Sequence, residues 1–129
     1  MSNKFIIKHG AIINGQAYTP TYDVSTGYTS TTINIDFDNG SVQAITLSGG
    51  TTMTLANPTN INNGGTYMLI VKQPVAGNGV LNYGSNYLWE TSSQPTITIT
   101  SEAIDILSFL CIDQGGTSKL VGTYSQNFG

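Results

Sequence analysis

The sequence predicts an all-β protein, with an antiparallel β-sandwich or jelly-roll-like domain that follows an extended N-terminal arm. Short stretches of alternating apolar and polar residues have the period of half-buried strands. Turn signals rich in Gly, Asn and Pro separate these stretches about every ten residues, a spacing typical of sandwiches and jelly rolls. Helical periodicity does not extend beyond a single turn. The 129 residues suit one domain with one hydrophobic core.

The composition excludes several functional classes. Only 9% of residues are charged and 39% are hydrophobic, with a net charge of −3, whereas an average protein is about 25% charged. The chain has four cationic residues, all lysines, so it lacks the arginine-rich patch expected of a nucleic-acid binder. The low net charge and the hydrophobic content argue against charge-driven disorder. Gly, Thr, Ser, Asn and Gln make up nearly half of the chain, which suggests uncharged polar surfaces that lie against other protein copies.

We assign residues 1–30 to an N-terminal arm and linker, and residues 31–129 to the β-sandwich. The arm carries two short apolar patches, at residues 5–7 and 11–13, and the linker is mostly Thr, Ser, Tyr and Gly. Alternatively, the Asn14-Gly15 turn joins two short strands, or the arm folds back as an edge strand. Its apolar run is too short for a secretory signal or a membrane helix, so we expect cytoplasmic synthesis as a soluble product.

The first strands follow in order from Thr31. Ile33, Ile35 and Phe37 alternate with polar residues, and the sequence Asp38-Asn39-Gly40 predicts a hairpin turn. The next strand, residues 41–47, shows apolar residues in both phases, which requires either a bulge near Ala44 or burial on both faces. After a Gly-Gly turn, Met53 and Leu55 alternate in a further strand.

The later strands include two that are apolar at almost every position, residues 66–73 and 104–112. Such a strand is covered on both faces, so it lies in the middle of a sheet or at an interface. Between them we predict short strands at residues 80–81 and 87–89, and a strand of alternating Ile and Thr at residues 96–100. The turn at residues 113–116 then leads to a last strand over residues 120–124.

We expect no catalytic site, no metal site and no cofactor. The single histidine, His9, lies in the arm, far in sequence from Cys111, which is the only cysteine and has the surroundings of a core residue. The segment Asp36–Gly40 departs from a calcium-binding loop in the position of its glycine. The seven acidic residues could place two carboxylates together for glycoside hydrolysis, but we interpret them as residues of turns and strand ends that maintain solubility.

Tyr83, Tyr87 and Trp89 form one aromatic cluster in the sequence. Aromatic rings beside Asn and Glu side chains can stack on a sugar, so these three residues are candidates for contact with a glycan. Large rings also commonly fill the core of a sandwich, and we favour this second interpretation.

Residues Asn34 to Phe128 resemble a β-rich module of bacteriophage virion structural proteins, found in short capsid decoration (cement) proteins and in related tail-fibre modules. The opening segment Phe5-Ile6-Ile7-Lys8-His9-Gly10 is similar to the start of many such chains. The phrases that carry the resemblance are, in order, Ile35-Asp36-Phe37, Leu55-Ala56-Asn57-Pro58, Gly65-Thr66-Tyr67-Met68-Leu69-Ile70-Val71-Lys72-Gln73, Ile104-Asp105-Ile106-Leu107-Ser108-Phe109 and Gln126-Asn127-Phe128.

The resemblance implies a non-enzymatic structural protein of the virion, assembled in the cytoplasm of a bacterial host. It also implies a homotrimer. Because 129 residues leave no room for the long shaft of a tail fibre, we expect the chain to bind major capsid protein subunits, and its composition and short apolar runs favour neither nucleic acid nor a membrane as a partner. We expect the arm to anchor it to the capsid through apolar residues, namely Phe5, Ile6, Ile7, Ile12 and Ile13. The alternative is a tail-tip, tail-fibre or head-fibre module that recognises host glycans through exposed rings at Tyr83, Tyr87 and Trp89.

Overall fold

The computed structural model describes residues 6–25 and 30–129 and contains two β-sheets with almost no helix. Short 3-10 turns lie at Phe37–Asn39 and Glu90–Ser92. The strands are β1 (Tyr22–Asp23), β2 (Thr32–Ile33), β3 (Val42–Thr46), β4 (Thr52–Leu55), β5 (Thr66–Lys72), β6 (Val80–Tyr83), β7 (Tyr87–Trp89), β8 (Ile104–Gln114) and β9 (Thr117–Phe128). The predicted all-β class is therefore confirmed.

Strands β1 to β6 alternate between the two sheets as the chain proceeds. The six-stranded sheet has the order β1-β3-β5-β8-β9-β7, and the three-stranded sheet has the order β2-β4-β6. Each time the chain returns to a sheet it runs in the same direction as before, so β1, β3 and β5 are parallel neighbours, as are β2, β4 and β6. The β8–β9 hairpin then extends the larger sheet with antiparallel pairs.

The predicted antiparallel arrangement is therefore wrong for most of the described strands. Among the strand pairs of the described residues, β5–β8 and β8–β9 are antiparallel and the other five are parallel. Parallel neighbours need a long crossover connection. In the four parallel pairs among β1 to β6, each crossover contains a strand of the other sheet, whereas the β7–β9 crossover contains β8 of the same sheet. The turn at Asp38-Asn39-Gly40 shows the physical reason. It lies between β2 and β3, which belong to different sheets, so it is not a hairpin.

One hydrophobic core takes side chains from both sheets. Ile33 and Leu55 enter it from the smaller sheet, and Leu69, Leu107 and Leu120 enter it from the larger one, all fully buried. Inward residues alternate with outward residues along β5 and β8, as the strand period requires. The Ile and Leu residues that predicted strands in the sequence are thus the residues that hold the two sheets together.

Two sequence predictions about individual strands have clear outcomes. In β3, Gln43 and Ile45 face the core while Ala44 on the other face is also buried, so burial on both faces explains the mixed phase. The segment 96–100 is extended but forms no strand, and its Ile97 is buried while Ile99 is exposed. It is held instead by side chains, because Gln73 donates to Thr98 O at 2.8 Å.

The described part of the arm, residues 6–21, is exposed along its length and contains no strand. The two short strands considered around Asn14-Gly15 are therefore not formed there. Residues 22–23, inside the predicted linker, form the edge strand β1 beside β3. The division into an arm at 1–30 and a domain at 31–129 stays a prediction, and Phe5 lies outside the described residues.

Candidate interaction surfaces

The six-stranded sheet has one face on the core and one face that the described chain leaves uncovered, which we call the outer face. On four adjacent strands, β3, β5, β8 and β9, the cross-strand register places the outward side chains beside one another. Met68, Leu110, Val121 and Phe128 are between 37% and 47% exposed. The apolar residues at outer-face positions are Val42, Ala44, Met68, Ile70, Ile104, Ile106, Leu110, Ile112, Val121 and Phe128, and polar residues on the same face include Thr46, Thr66, Ser108, Thr123 and Ser125.

The outer face contains a shallow apolar groove of about 470 Å³. Val42, Met68, Leu110 and Val121 line it, one from each of the four central strands. Charged outward residues occur only toward the ends of these strands, at Lys72 and Lys119. The groove can therefore hold apolar groups, but it offers no charged side chain for a polar ligand.

The arm is the second uncovered apolar surface. Ile6, Ile7, Ile12 and Ile13, four of the five predicted anchor residues, are 53–93% exposed. The next part of the arm passes beside Gly40, where a Cβ would meet Pro20 O at 3.7 Å. The arm therefore leaves the fold at the end of the sheet where β3 begins, with its isoleucines free of the core.

The interpretation of the aromatic cluster that we favoured, rings that fill the core, is confirmed, and the exposed rings that the glycan alternative requires are absent. Tyr83, Tyr87 and Trp89 are only 3–8% exposed and belong to the hydrophobic core. Tyr83 and Trp89 pack edge to face with their ring centroids 5.0 Å apart. Gly122 makes room for the indole, because a Cβ there would lie 2.5 Å from a Trp89 ring carbon and 2.8 Å from Phe109. These rings hold β7 onto β9 and are not displayed to a glycan.

Three polar atoms in this cluster are buried without a hydrogen-bond partner in the protein: Tyr83 OH, Tyr87 OH and Trp89 Nε1. Burial raises the pKa of Tyr87, and burial followed by the nearby charges of Asp105 and Tyr124 raises that of Tyr83. An unpaired buried polar group costs about 1–3 kcal/mol. The three unpaired polar atoms of the cluster therefore lower the free energy of unfolding.

Asp105 is a buried carboxylate that the sequence analysis placed among surface acids. It accepts hydrogen bonds from the backbone N–H of Thr98 at 2.7 Å and of Asn127 at 2.8 Å. The amide of Gln126 lies 3.3 Å from it. It thereby connects β8 to the segment 96–100 and to the end of β9. The signal in the sequence is an acid between the two isoleucines that begin a mostly apolar strand.

The remaining chemical candidates are accounted for by hydrogen bonds and by burial. Asp36 accepts from the Asn60 amide at 2.7 Å and from Asp38 N–H at 2.9 Å, and these bonds lower its pKa. Cys111 is buried in the core, as predicted, and burial raises the pKa of its thiol. His9 is exposed in the arm, so the two do not form a nucleophile–base pair. Across the described residues, no group of three or more His, Cys, Asp or Glu could hold a metal ion.

A scan against protein-family models and searches of curated proteins and of solved structures return no match to this chain. Within the described ranges, no helix is long and apolar enough to cross a membrane. The chain is accordingly interpreted from its own geometry, which presents two uncovered apolar surfaces, the arm and the outer face.

Proposed function

We propose that this chain is a non-enzymatic bacteriophage virion structural protein, a capsid decoration (cement) protein that binds the outer shell as a homotrimer and stabilises it. The observation that carries the proposal is the arm. Its isoleucines at positions 6, 7, 12 and 13 are exposed, and an apolar segment outside the core of its own chain gains free energy by docking on another protein.

The arm suits capsid binding by strand addition. Backbone N–H and C=O groups supply most of the affinity in that mode and place few demands on the sequence. Residues 6–21 form no strand within their own chain, so their backbone groups are free to pair with an exposed strand edge of a capsid subunit. Many such contacts, linked through oligomers, stabilise a shell through their effective concentration.

The rest of the chain is consistent with a structural role. The buried acid Asp105 connects strands, because it accepts hydrogen bonds from two backbone N–H groups. We interpret the two sheets as a sandwich-like body that carries the arm. The low charge, at 9% of residues, suits close packing of identical copies, because like copies of a highly charged protein repel one another.

The tail-tip or fibre alternative stays a prediction, and the rings proposed to bind glycans do not support it. Tyr83, Tyr87 and Trp89 lie in the core. A groove of about 400 Å³ beside Tyr87 and Trp89 is lined mainly by small and polar residues. A glycan array tests this alternative directly, and we expect no binding.

The decisive experiment is co-sedimentation of the purified chain with phage heads assembled without it. We expect saturable binding at a fixed ratio to the major capsid protein. Ile12→Asp places a charge on the apolar arm and should abolish binding, whereas Gln16→Asp places the same charge on an exposed polar position of the arm and should not. Full binding by Ile12→Asp and by a chain lacking residues 1–18 would refute the anchor, and no binding by the wild-type chain would refute the decoration role.

A further inference from the structure

The outer face differs from the solvent-exposed face expected of a two-layer β protein. A sheet that faces water on one side normally alternates apolar residues inside with polar residues outside. Here Met68 and Ile70 on β5 and Ile106 and Leu110 on β8 are apolar and directed away from the core. The sequence therefore favours strands covered on both faces, whereas residues 6–25 and 30–129 cover only one of these faces.

We propose that the outer face is the contact surface between copies of this chain, with the outer face of one copy packed against the outer face of its neighbours around a symmetry axis. This inference deepens the proposed function, and it rests on that function for the expectation that the closed assembly is a trimer. It assigns self-association to the outer face and capsid binding to the arm.

Charge favours a second copy as the occupant. The molecule has a net charge of −3, so two copies repel one another at most orientations. The central outer-face positions of β3, β5, β8 and β9 carry no charged side chain. The charged residues of this face lie at its margins, Lys72 and Lys119 toward opposite ends of the sheet and Asp23 on the edge strand β1 beside Ala44. Two copies of a neutral apolar patch can contact each other without charge repulsion, whereas such a patch has no charged group with which to attract a charged partner.

The area is sufficient for a specific contact. With strands about 4.8 Å apart and a rise of about 3.3 Å per residue, the six strands present roughly 600 Å² per copy, or about 1,200 Å² for a pair. That is the lower end of the range for specific interfaces, about 1,200–2,000 Å².

The edges of the larger sheet favour association through its face, although β7 pairs with only residues 120–122 of β9. Strands β1 and β7 at its two edges are two and three residues long. Short edge strands disfavour edge-to-edge pairing between copies. The groove lies near Met68 and Leu110, and Phe128, which pairs with Ile104, lies on the same face toward the other end of the sheet. The outer face thus presents the groove toward one end and the part-exposed ring of Phe128 toward the other, and both can contact a neighbouring copy.

The test measures the mass of the purified chain by sedimentation velocity over a range of concentrations, with circular dichroism as a check on folding. We expect a closed oligomer for the wild type. Leu110→Lys and Leu110→Glu should each weaken association about 100-fold or more, because either sign leaves an unpaired charge in a dry contact. Val75→Lys and Val75→Glu are matched controls at a loop residue that is 76% exposed and away from the face, and they should leave the oligomer intact.

A second measurement needs no substitution and therefore does not depend on the variants folding. Hydrogen peroxide oxidises exposed methionines faster than covered ones, and Met68 is in the groove while Met53 is buried in the core. We expect Met68 to be oxidised slowly in the assembled protein and several-fold faster when dilution dissociates it, with Met53 slow throughout. An equal rate for Met68 at a concentration where sedimentation shows the oligomer and at one where it shows the monomer would overturn the proposal.

Three other results would also overturn it: a wild-type chain that is monomeric throughout, folded Leu110 variants that stay oligomeric, or a Lys variant that associates while the Glu variant does not. The last result would show that the face meets an acidic surface. Failure of this inference is distinct from failure of the decoration role. If Leu110 substitution dissociates the oligomer and the wild-type chain does not bind phage heads, the interface is supported and the decoration role is not. If the wild-type chain binds heads and the Leu110 variants remain oligomeric, the decoration role is supported and the interface is not.

Discussion

Replacing Asp105 by asparagine should destabilise the fold substantially, although it changes one atom. The carboxylate accepts from two backbone N–H groups, those of Thr98 and Asn127, through different oxygens. Asparagine keeps one acceptor oxygen and turns the other into an NH₂ donor that faces an N–H. The variant therefore loses a charge-assisted hydrogen bond, worth about 1.5–3 kcal/mol, and leaves one partly buried backbone N–H without its acceptor, for a total of about 3 kcal/mol.

The assay is urea unfolding followed by Trp89 fluorescence. A loss of about 3 kcal/mol is a large share of the roughly 5–15 kcal/mol that holds a domain together, and it should lower Tm by about 10 °C. Asp38→Asn is the matched control, because Asp38 is exposed on a turn, and it should change stability by less than about 0.5 kcal/mol. A loss below about 1 kcal/mol in Asp105→Asn would refute the conclusion that this carboxylate holds the strands together.

Three further predictions follow from the core. Tyr87→Phe removes a hydroxyl that has no hydrogen-bond partner in the protein, and it should raise the free energy of unfolding by about 1 kcal/mol. The Tyr67 hydroxyl accepts from a backbone N–H at 2.9 Å, so Tyr67→Phe should lower the free energy of unfolding by a similar amount. Urea unfolding measures both changes. Gly122→Ala should cost about 1–3 kcal/mol by forcing the indole of the core away, with Ser125→Ala on the exposed part of the same strand as the neutral control. Above pH 10 the free energy of unfolding should fall by up to about 1.4 kcal/mol per pH unit for each of Tyr83 and Tyr87. The reason is that the unfolded chain releases phenol protons that the folded chain keeps. A free energy of unfolding that stays constant from pH 10 to 11 would contradict the burial of these phenols.

The sequence predicted the strand content and much of the core, because apolar periodicity reports local geometry directly. Thr66–Lys72 is a central strand of its sheet, as its uniform apolar character indicated. The strand order could not be predicted, since a turn signal such as Asp38-Asn39-Gly40 indicates that the chain turns but not which sheet it enters next. Parallel neighbours are set by contacts between residues distant in sequence, such as Gln43 with Leu69, and local patterns do not encode these.

The candidate surfaces were predicted only in part. Ile12 and Ile13 lie exposed in the arm, as an anchor requires, while the rings of Tyr83 and Trp89 are buried. Composition marks an aromatic residue as a candidate for either the core or a binding site, and only the three-dimensional packing distinguishes the two. The outer face was implied by the doubly apolar strands, but its location required the sheet order.

The proposed function divides the molecule into two working surfaces that can be altered separately. The arm would bind the shell, and the outer face would join copies into the oligomer that bridges neighbouring capsid subunits. Substitution at Ile12 should therefore remove shell binding without changing oligomeric state. Substitution at Leu110 should remove the oligomer and weaken shell binding through loss of multivalency.

The most direct test of the account is the temperature at which phage heads assembled without this chain are disrupted, measured by light scattering before and after saturation with the purified protein. A ligand that binds only the intact shell raises its apparent stability by mass action. The account predicts a higher disruption temperature with the wild-type chain and no change with Ile12→Asp. An unchanged disruption temperature at saturating wild-type protein would contradict the proposed role in stabilising the shell.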